Sequence, residues 1–182
     1  MIRTSSVKLL EILSKLCLRS GENVMIHSSL FSLGLIENGI NGFFEAVLEK
    51  IGPDGTLIVP TFTYSFRRGE VFDVLNTPSA KSIGIFSEFV RNQPSAVRCP
   101  DPLFSMAAIG PQANELMQRT GNNCFGINST YQRLFESNVL FVAIGISYST
   151  GLAGFMHLEK LANVPYREDM TFSGKSCGSD GS

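Results

Sequence analysis

Residues 23–34 read Asn23-Val24-Met25-Ile26-His27-Ser28-Ser29-Leu30-Phe31-Ser32-Leu33-Gly34. A short apolar run ends at a histidine and passes into small hydroxyl residues, and an amphipathic helix follows within ten residues. The order strand, polar loop, helix is typical of an α/β protein. Because ligands of open α/β sheets bind beyond the carboxyl ends of strands, this loop is the first candidate for a ligand site. Its amides and hydroxyls suit an anion such as phosphate.

The apolar pattern predicts further helices and strands along the rest of the chain. Helical spacing predicts helices over residues 6–19, 40–51, 83–91, 111–117, 131–135 and 155–162, with Cys17 on an apolar stripe. Apolar runs predict strands over residues 24–26, 56–59, 105–109 and 139–144. Alternating strands and helices predict an α/β protein with a buried, at least partly parallel sheet. Residues 61–81 form a long polar and aromatic loop, a kind of segment that is usually functional or mobile.

Composition narrows the class of protein. The 182 residues are 43% hydrophobic and 17% charged with a net charge of −1, which indicates a globular domain and gives no basic surface for nucleic acid. No apolar run approaches the ~20 residues of a membrane span, and the N-terminal residues are not a signal peptide. Four scattered cysteines predict reduced thiols in a cytoplasmic protein, with no metal site. We expect one domain over residues 1–172 and a disordered or altered Gly/Ser-rich tail over residues 173–182.

Five segments in order carry a resemblance to a known family. They contain His27-Ser28-Ser29-Leu30, Gly52-Pro53-Asp54-Gly55, Asp101-Pro102-Leu103-Phe104-Ser105, Phe125-Gly126-Ile127-Asn128-Ser129 and Val164-Pro165-Tyr166-Arg167. With them the chain resembles the aminoglycoside 3-N-acetyltransferase-like family of acetyl-CoA-dependent N-acetyltransferases, over roughly residues 10 to 168. Family members continue for several dozen residues more, so the C-terminal part of the family domain is expected to be missing from this sequence.

The resemblance implies a three-layer α/β/α fold with a central mixed, partly parallel sheet. It also implies an acyltransferase of the type that confers antibiotic resistance. Acetyl-CoA would be the cosubstrate, an aminoglycoside or related aminosugar the acceptor, and the amine would attack directly, without an acyl-enzyme or a metal. A homodimer is compatible with the resemblance. The alternative function is a catalytically impaired or non-catalytic CoA-binding homologue. A third function, serine hydrolysis at Ser28 or Ser29, lacks the glycines of a nucleophile elbow.

The resemblance implies that the first loop and one distant serine hold the arm of acetyl-CoA. These residues are His27, Ser28, Ser29, Leu30, Phe31, Ser32 and Ser105. From the residues alone, Ser28 and Ser29 are equally typical of turn or helix-capping hydroxyls. His27 is more typical of a structural histidine that bonds a neighbouring carbonyl, and Ser105 of a buried hydroxyl bonded to backbone.

The resemblance also implies a histidine base on the helix after the Gly/Ser-rich loop, oriented by a glutamate. His157 and Glu159 are the candidates, since histidine titrates near neutrality and an attacking amine must lose a proton. The family pattern is His-x-x-Glu, which places both side chains on one helix face. Here His157-Leu158-Glu159 has the wrong spacing, and alignment through Val164-Pro165-Tyr166-Arg167 puts Met156 in the histidine position. Either the helix begins one residue later, or His157 is not the base.

Four residues are candidates for acceptor binding: Thr61, Thr63, Tyr64 and Asp101. The first three follow a strand end, and the Asp101 carboxylate could hold a cationic amine, although an Asp-Pro turn is an equally good interpretation. Asp101 stands where the antibiotic-modifying branch often has histidine, which makes a sugar or sugar-nucleotide amine an equally good acceptor. Arg67-Arg68 is more typical of a solvated turn than of a phosphate clamp.

Overall fold

The computed structural model describes residues 2–119, 121–147 and 152–178. Its main sheet has five strands: β2 (Asn23–Ser28), β4 (Thr56–Pro60), β6 (Val97–Arg98), β7 (Met106–Ile109) and β8 (Leu140–Ile144). Their order across the sheet is β6-β7-β4-β2-β8. Strand β2 runs parallel to β4 and β8, whereas β7 runs antiparallel to β4 and β6. The sheet is therefore mixed, with its parallel part around β2.

Helices cover both faces of this sheet. On one face lie α1 (Ser6–Lys15), α2 (Gly39–Ile51) and α3 (Ile85–Arg91); on the other lie α4 (Ala113–Leu116), α5 (Thr130–Glu136) and α6 (Ala153–Leu161). Side chains of β2 alternate between the two cores, since Val24 and Ile26 pack with α1 to α3 while Met25 packs with α4 to α6. The predicted three-layer α/β/α fold is confirmed.

Local sequence explains where the elements begin and end. The Ser5 side chain caps α1 by accepting a hydrogen bond from the Lys8 amide. Gly52 caps the C-terminal end of α2. It has a φ of 68°, and its amide donates to the carbonyl of Leu48. Strand β4 is buried at all five positions, as expected for a central strand covered on both faces.

Two predictions about element bounds are wrong. Helix α1 ends at Lys15, and Cys17 follows it with a positive φ of 64° and an exposed side chain, so this cysteine is not part of the core. Strand β2 continues to Ser28, so His27 and Ser28 belong to the strand and not to the loop. Pairing with β8 explains this extension, because the register joins His27 to Ala143 and Ser28 to Ile144.

Two small parallel sheets lie outside the main one. Strand β1 (Arg3–Thr4) pairs with β3 (Leu35–Ile36), and β5 (Phe72–Asp73) pairs with β9 (Ser176–Cys177). The second pairing corrects the expectation of a disordered tail for residues 173–178, because the Phe72 amide donates to Lys175 and the Val74 amide to Cys177. Residues 179–182 of the predicted tail lie outside the described residues.

Within the described ranges, every helix is too short or too polar to cross a membrane.

Candidate functional site

A cavity of about 1140 Å³ opens beyond the carboxyl ends of β2 and β4. Its described walls come from the end of β2 with the following 3₁₀-helix (Leu30–Leu33), the 3₁₀-helix after β4 (Tyr64–Arg68), the turn that precedes α3, and α6. Ligand pockets for small molecules typically measure roughly 300–1,000 Å³. The cavity is therefore large enough for more than one small ligand, and it lies where α/β sheets bind ligands.

Five of the residues predicted to hold acetyl-CoA line this cavity: His27, Ser28, Ser29, Leu30 and Phe31. Phe31 is 90% exposed, which is unusual for an aromatic side chain. The Ser28 and Ser29 hydroxyls make no hydrogen bond within the described part of the chain, so both are available to a ligand.

Ser32 and Ser105 were predicted for the same role, and the structure does not place either against the cavity. Ser32 Oγ donates to the Ser29 carbonyl over 2.9 Å. Ser105 is fully buried, and its hydroxyl donates to the Thr61 carbonyl over 2.5 Å. Both predictions are corrected, because these hydroxyls are used in bonds that shape the loops.

The loop after β2 is held against the loop after β8. The Ser29 amide donates to the Ile144 carbonyl over 2.8 Å. Gly145 has a φ of 67°, and a Cβ there would stand 2.0 Å from Ser32 Oγ and 2.6 Å from the Ser29 carbonyl oxygen. Only glycine fits at this close approach, which fixes one wall of the cavity.

His27 is the titratable group at the floor of the cavity. It is 5% exposed, and neither ring nitrogen has a hydrogen-bond partner among residues 2–119, 121–147 and 152–178. Burial lowers its pKa from 6.5 to about 4. The expected hydrogen bond to a neighbouring carbonyl is therefore not made, and the imidazole is a neutral polar group in the wall of the cavity.

Replacing His27 with glutamine is expected to make the free energy of unfolding less dependent on pH between pH 6.5 and pH 4. In this window the unfolded chain protonates this imidazole while the folded chain keeps it neutral, so stability falls as the pH falls. As the pH falls through this window, protonation of His27 in the unfolded chain should lower the free energy of unfolding of the wild-type protein by about 3 kcal/mol. The His27→Gln variant should not show this decrease. Urea unfolding at half-unit pH intervals measures the difference, and equal pH slopes for the two proteins would contradict the assignment.

His157, the predicted base, faces away from the cavity. It is fully buried in α6, its ring stacks on Phe135 at 5.0 Å, and its Nδ1 accepts the Gly126 amide over 3.1 Å. Burial lowers its pKa, and Glu136 raises it by a smaller amount. His157 does not line the described cavity wall, and its role as the base stays a prediction.

Met156, one residue earlier on α6, occupies the cavity side of the helix. Met156 and Glu159 both line the cavity, as their i, i+3 spacing allows. Glu159 accepts a hydrogen bond from Arg167 Nε over 2.8 Å and one from the Tyr166 hydroxyl over 3.3 Å. The structure thus separates Glu159 from His157 and supports the alternative in which Met156 stands in the histidine position.

Of the predicted acceptor residues, Tyr64 lines the cavity and the two threonines do not. Burial raises the pKa of Tyr64, with a smaller opposing effect of Arg67. Thr61 is fully buried with its Oγ1 3.0 Å from Ser105 Oγ, and Thr63 Oγ1 donates to the Pro102 carbonyl over 2.6 Å. The acceptor role of Thr61 and Thr63 is corrected, since both hydroxyls face the interior after β4.

The carboxylate of Asp101 already accepts hydrogen bonds from groups within the protein. Its Oδ1 accepts the amides of Leu103 and Phe104, both over 2.8 Å, and the thiol of Cys124 over 3.5 Å. Asp101 is buried and is not among the described residues of the cavity wall. The turn interpretation therefore fits, and an amine in the cavity does not meet this carboxylate.

Sequence reasoning missed the cationic part of the cavity. Arg67, Lys81 and Arg167 line it, and the guanidinium of Arg67 stacks over the Phe172 ring at 5.1 Å. Arg67 and Arg68 are both exposed, as the solvated-turn interpretation predicts, and Arg68 pairs with Glu70 over 2.9 Å. The 3₁₀ geometry of residues 64–68 separates the two neighbours, and no sequence periodicity indicates it.

No cluster of potential metal ligands occurs within the described ranges of the chain.

The fold and the cavity together define an α/β protein with a ligand site beyond the ends of its parallel strands. The family model for aminoglycoside 3-N-acetyltransferase matches residues 25–179. The chain belongs to this family.

Individual relatives agree with this membership. Aminoglycoside N(3)-acetyltransferase IV from Salmonella sp. is 30% identical over 148 residues, which cover 80% of this chain and 55% of the relative. A solved structure of AAC(3)-IVa, a histidine-to-alanine mutant in complex with gentamicin, matches with a TM-score of 0.83 and 26% identity, covering 91% of this chain and 63% of that one. The binary structure of AAC-IIIb with CoASH shares the fold, with a TM-score of 0.82, 22% identity, and coverage of 90% and 67%. The chain therefore spans between 55% and 67% of these three relatives.

Proposed function

We propose that this chain is an acetyl-CoA-dependent N-acetyltransferase that acts on an amino group of an aminoglycoside or a related aminosugar. The observation that carries the proposal is the large cavity beyond β2 and β4 in a member of this family, lined by most of the expected cofactor loop. A relative of the same fold was solved with CoASH, and another relative with gentamicin.

The cofactor would lie along the loop that follows β2. Ser28 and Ser29 offer hydroxyls without partners among the described residues, and hydroxyls can bind the phosphates or amides of the acetyl-CoA arm. The exposed ring of Phe31 offers apolar surface beside them.

Changing both Ser28 and Ser29 to alanine is expected to weaken acetyl-CoA binding about tenfold, since each lost neutral hydrogen bond contributes about 0.5–1.5 kcal/mol. Isothermal titration calorimetry measures the change. Ser32→Ala is the matched control, because its hydroxyl bonds the Ser29 carbonyl and does not line the cavity. Equal affinities for the double variant and the wild-type protein would place the cofactor elsewhere.

In the proposed reaction the amine nitrogen attacks the thioester carbonyl carbon. The new C–N bond forms as the C–S bond breaks, CoA leaves as the thiolate, and the proton lost from the amine passes to this thiolate or to water. A covalent acyl-enzyme is not needed: Cys99 and Cys124 have pKa values raised by burial and do not line the described cavity wall. The serine hydrolase alternative has no support either, because His27 makes no hydrogen bond to Ser28 or Ser29.

Because Met156 stands where the family pattern has a histidine base, we expect the reaction to be slow. A thioether cannot accept a proton, so the amine must arrive neutral, and the rate should increase with pH toward the pKa of the acceptor amine. The second candidate function, CoA binding without transfer, rests on this same methionine.

An assay of free thiol released from acetyl-CoA separates the two functions. It uses a panel of aminosugars and aminoglycosides between pH 6 and pH 9. Slow turnover that increases with pH is the expected result. Tight CoA binding with no turnover at any pH would favour the non-catalytic homologue, and absence of CoA binding would contradict both. Location in the cytoplasm and a homodimer stay predictions.

A further inference from the structure

The charges that line the cavity are mostly positive. Among its described residues, Arg67, Lys81 and Arg167 are cationic, and Glu159 is the one carboxylate. A polycationic acceptor would therefore meet net repulsion in this cavity, whereas an anion would be attracted.

The single carboxylate is already engaged. Glu159 accepts hydrogen bonds from Arg167 and Tyr166, so the charges of Glu159 and Arg167 offset each other, and Arg67 and Lys81 are the cations of the described wall without an ion pair. Asp101, the other carboxylate expected at the acceptor site, is bonded to the amides of a turn. Neither acid is free to hold an ammonium group.

Arg67 is an exposed cation of the cavity wall that stacks on aromatic rings. Its guanidinium lies over the Phe172 ring at 5.1 Å and 6.0 Å from the centroid of Tyr64, a cavity residue, and it forms no ion pair within the described residues. The stacking restricts the side chain and leaves the N–H groups available. Arg67 follows β4, on a segment separate from the cofactor loop after β2.

We propose that Arg67 selects the acceptor: the chain acetylates an aminosugar that carries a phosphate or comparable anionic group, and Arg67 binds that group. This inference rests on the proposed function. A planar guanidinium can donate two parallel hydrogen bonds to a phosphate, which gives orientation as well as affinity. The amine of the same sugar would then be placed relative to the thioester by this anchor.

Calorimetric titrations of the CoA-saturated protein with three acceptors test the proposal. Glucosamine 6-phosphate is expected to bind about tenfold more tightly than glucosamine, and more tightly than gentamicin, at low ionic strength. Arg67→Gln should abolish the preference for the phosphate, so that the two glucosamines bind with similar affinity. Arg68→Gln removes the same charge from the neighbouring surface position and should leave the preference intact.

Three results would overturn the proposal: equal affinity for the two glucosamines, tighter binding of gentamicin, or equal effects of the two arginine variants. Competition between glucosamine 6-phosphate and CoA would also overturn it, because Arg67 would then bind the cofactor phosphates. If CoA does not bind, the proposed function fails, and the same titrations on the free protein still decide whether Arg67 selects a sugar phosphate.

Discussion

Met156→His is expected to raise the rate of acetyl transfer about 100-fold at neutral pH, within the range that general-base catalysis supplies. Met156 lies on the cavity side of α6, three residues before Glu159, so the new imidazole and the existing carboxylate would share one helix face. The imidazole could then take the proton of the attacking amine, which the thioether cannot do. Thiol release from acetyl-CoA at pH 7 measures the gain.

Met156→Leu is the matched control, because it keeps the volume of the side chain and supplies no base. It should show wild-type turnover, and all three proteins should bind CoA equally. If Met156→His folds and binds CoA but is no faster than Met156→Leu, proton transfer is not what limits this site. The account of Met156 would then be wrong.

Arg98→Met is expected to lower the free energy of unfolding by about 3 kcal/mol, since each buried polar group left without a partner costs about 1–3 kcal/mol. Arg98 is 8% exposed, and burial lowers its pKa to about 10. Its guanidinium donates to the carbonyls of Thr61, Val74 and Thr77 over 2.9, 3.2 and 2.5 Å. Methionine would fill the space and leave Val74 and Thr77 without this donor.

Arg68→Met provides the comparison for urea unfolding. Its arginine is exposed and pairs with Glu70 over 2.9 Å, so the loss should stay below about 1 kcal/mol. Similar losses for the two variants would mean that the hydrogen bonds of Arg98 contribute little. Because Arg98 joins the end of β4 to the loop after β5, its loss should also weaken ligand binding in the cavity.

The architecture was predictable because apolar periodicity reports burial. The run Val24–Met25–Ile26 and the spacing of Phe43, Val47 and Ile51 indicate a strand and a helix that must cover each other. The pairing of β5 with β9 was not predictable, since two-residue strands leave no pattern. The end of α1 was also not predictable from the apolar pattern. Helical spacing of apolar residues continues to Cys17, but the helix ends at Lys15 and Cys17 has a positive φ.

The position of the cavity was predictable from the sequence, and the residues that line it were predictable only in part. A strand that ends in polar residues located the cavity, and His27 and Ser29 line it. Which of two adjacent residues faces a cavity depends on about 100° of helix rotation. The spacing to Glu159 favoured Met156 over His157 in the sequence, and the structure places Met156 at the cavity. Thr63 is turned inward by its bond to Pro102, and Arg67 is turned toward the cavity wall, for reasons of loop geometry that leave no sequence signal.

A crystal structure of the protein with acetyl-CoA would show directly whether this cavity is the cofactor site. The account predicts the cofactor arm along Ser28 and Ser29, with the thioester in the cavity beside Met156 and room for an acceptor toward Tyr64 and Arg67. Acetyl-CoA bound at another surface, or a cavity that stays empty at saturating acetyl-CoA, would contradict it.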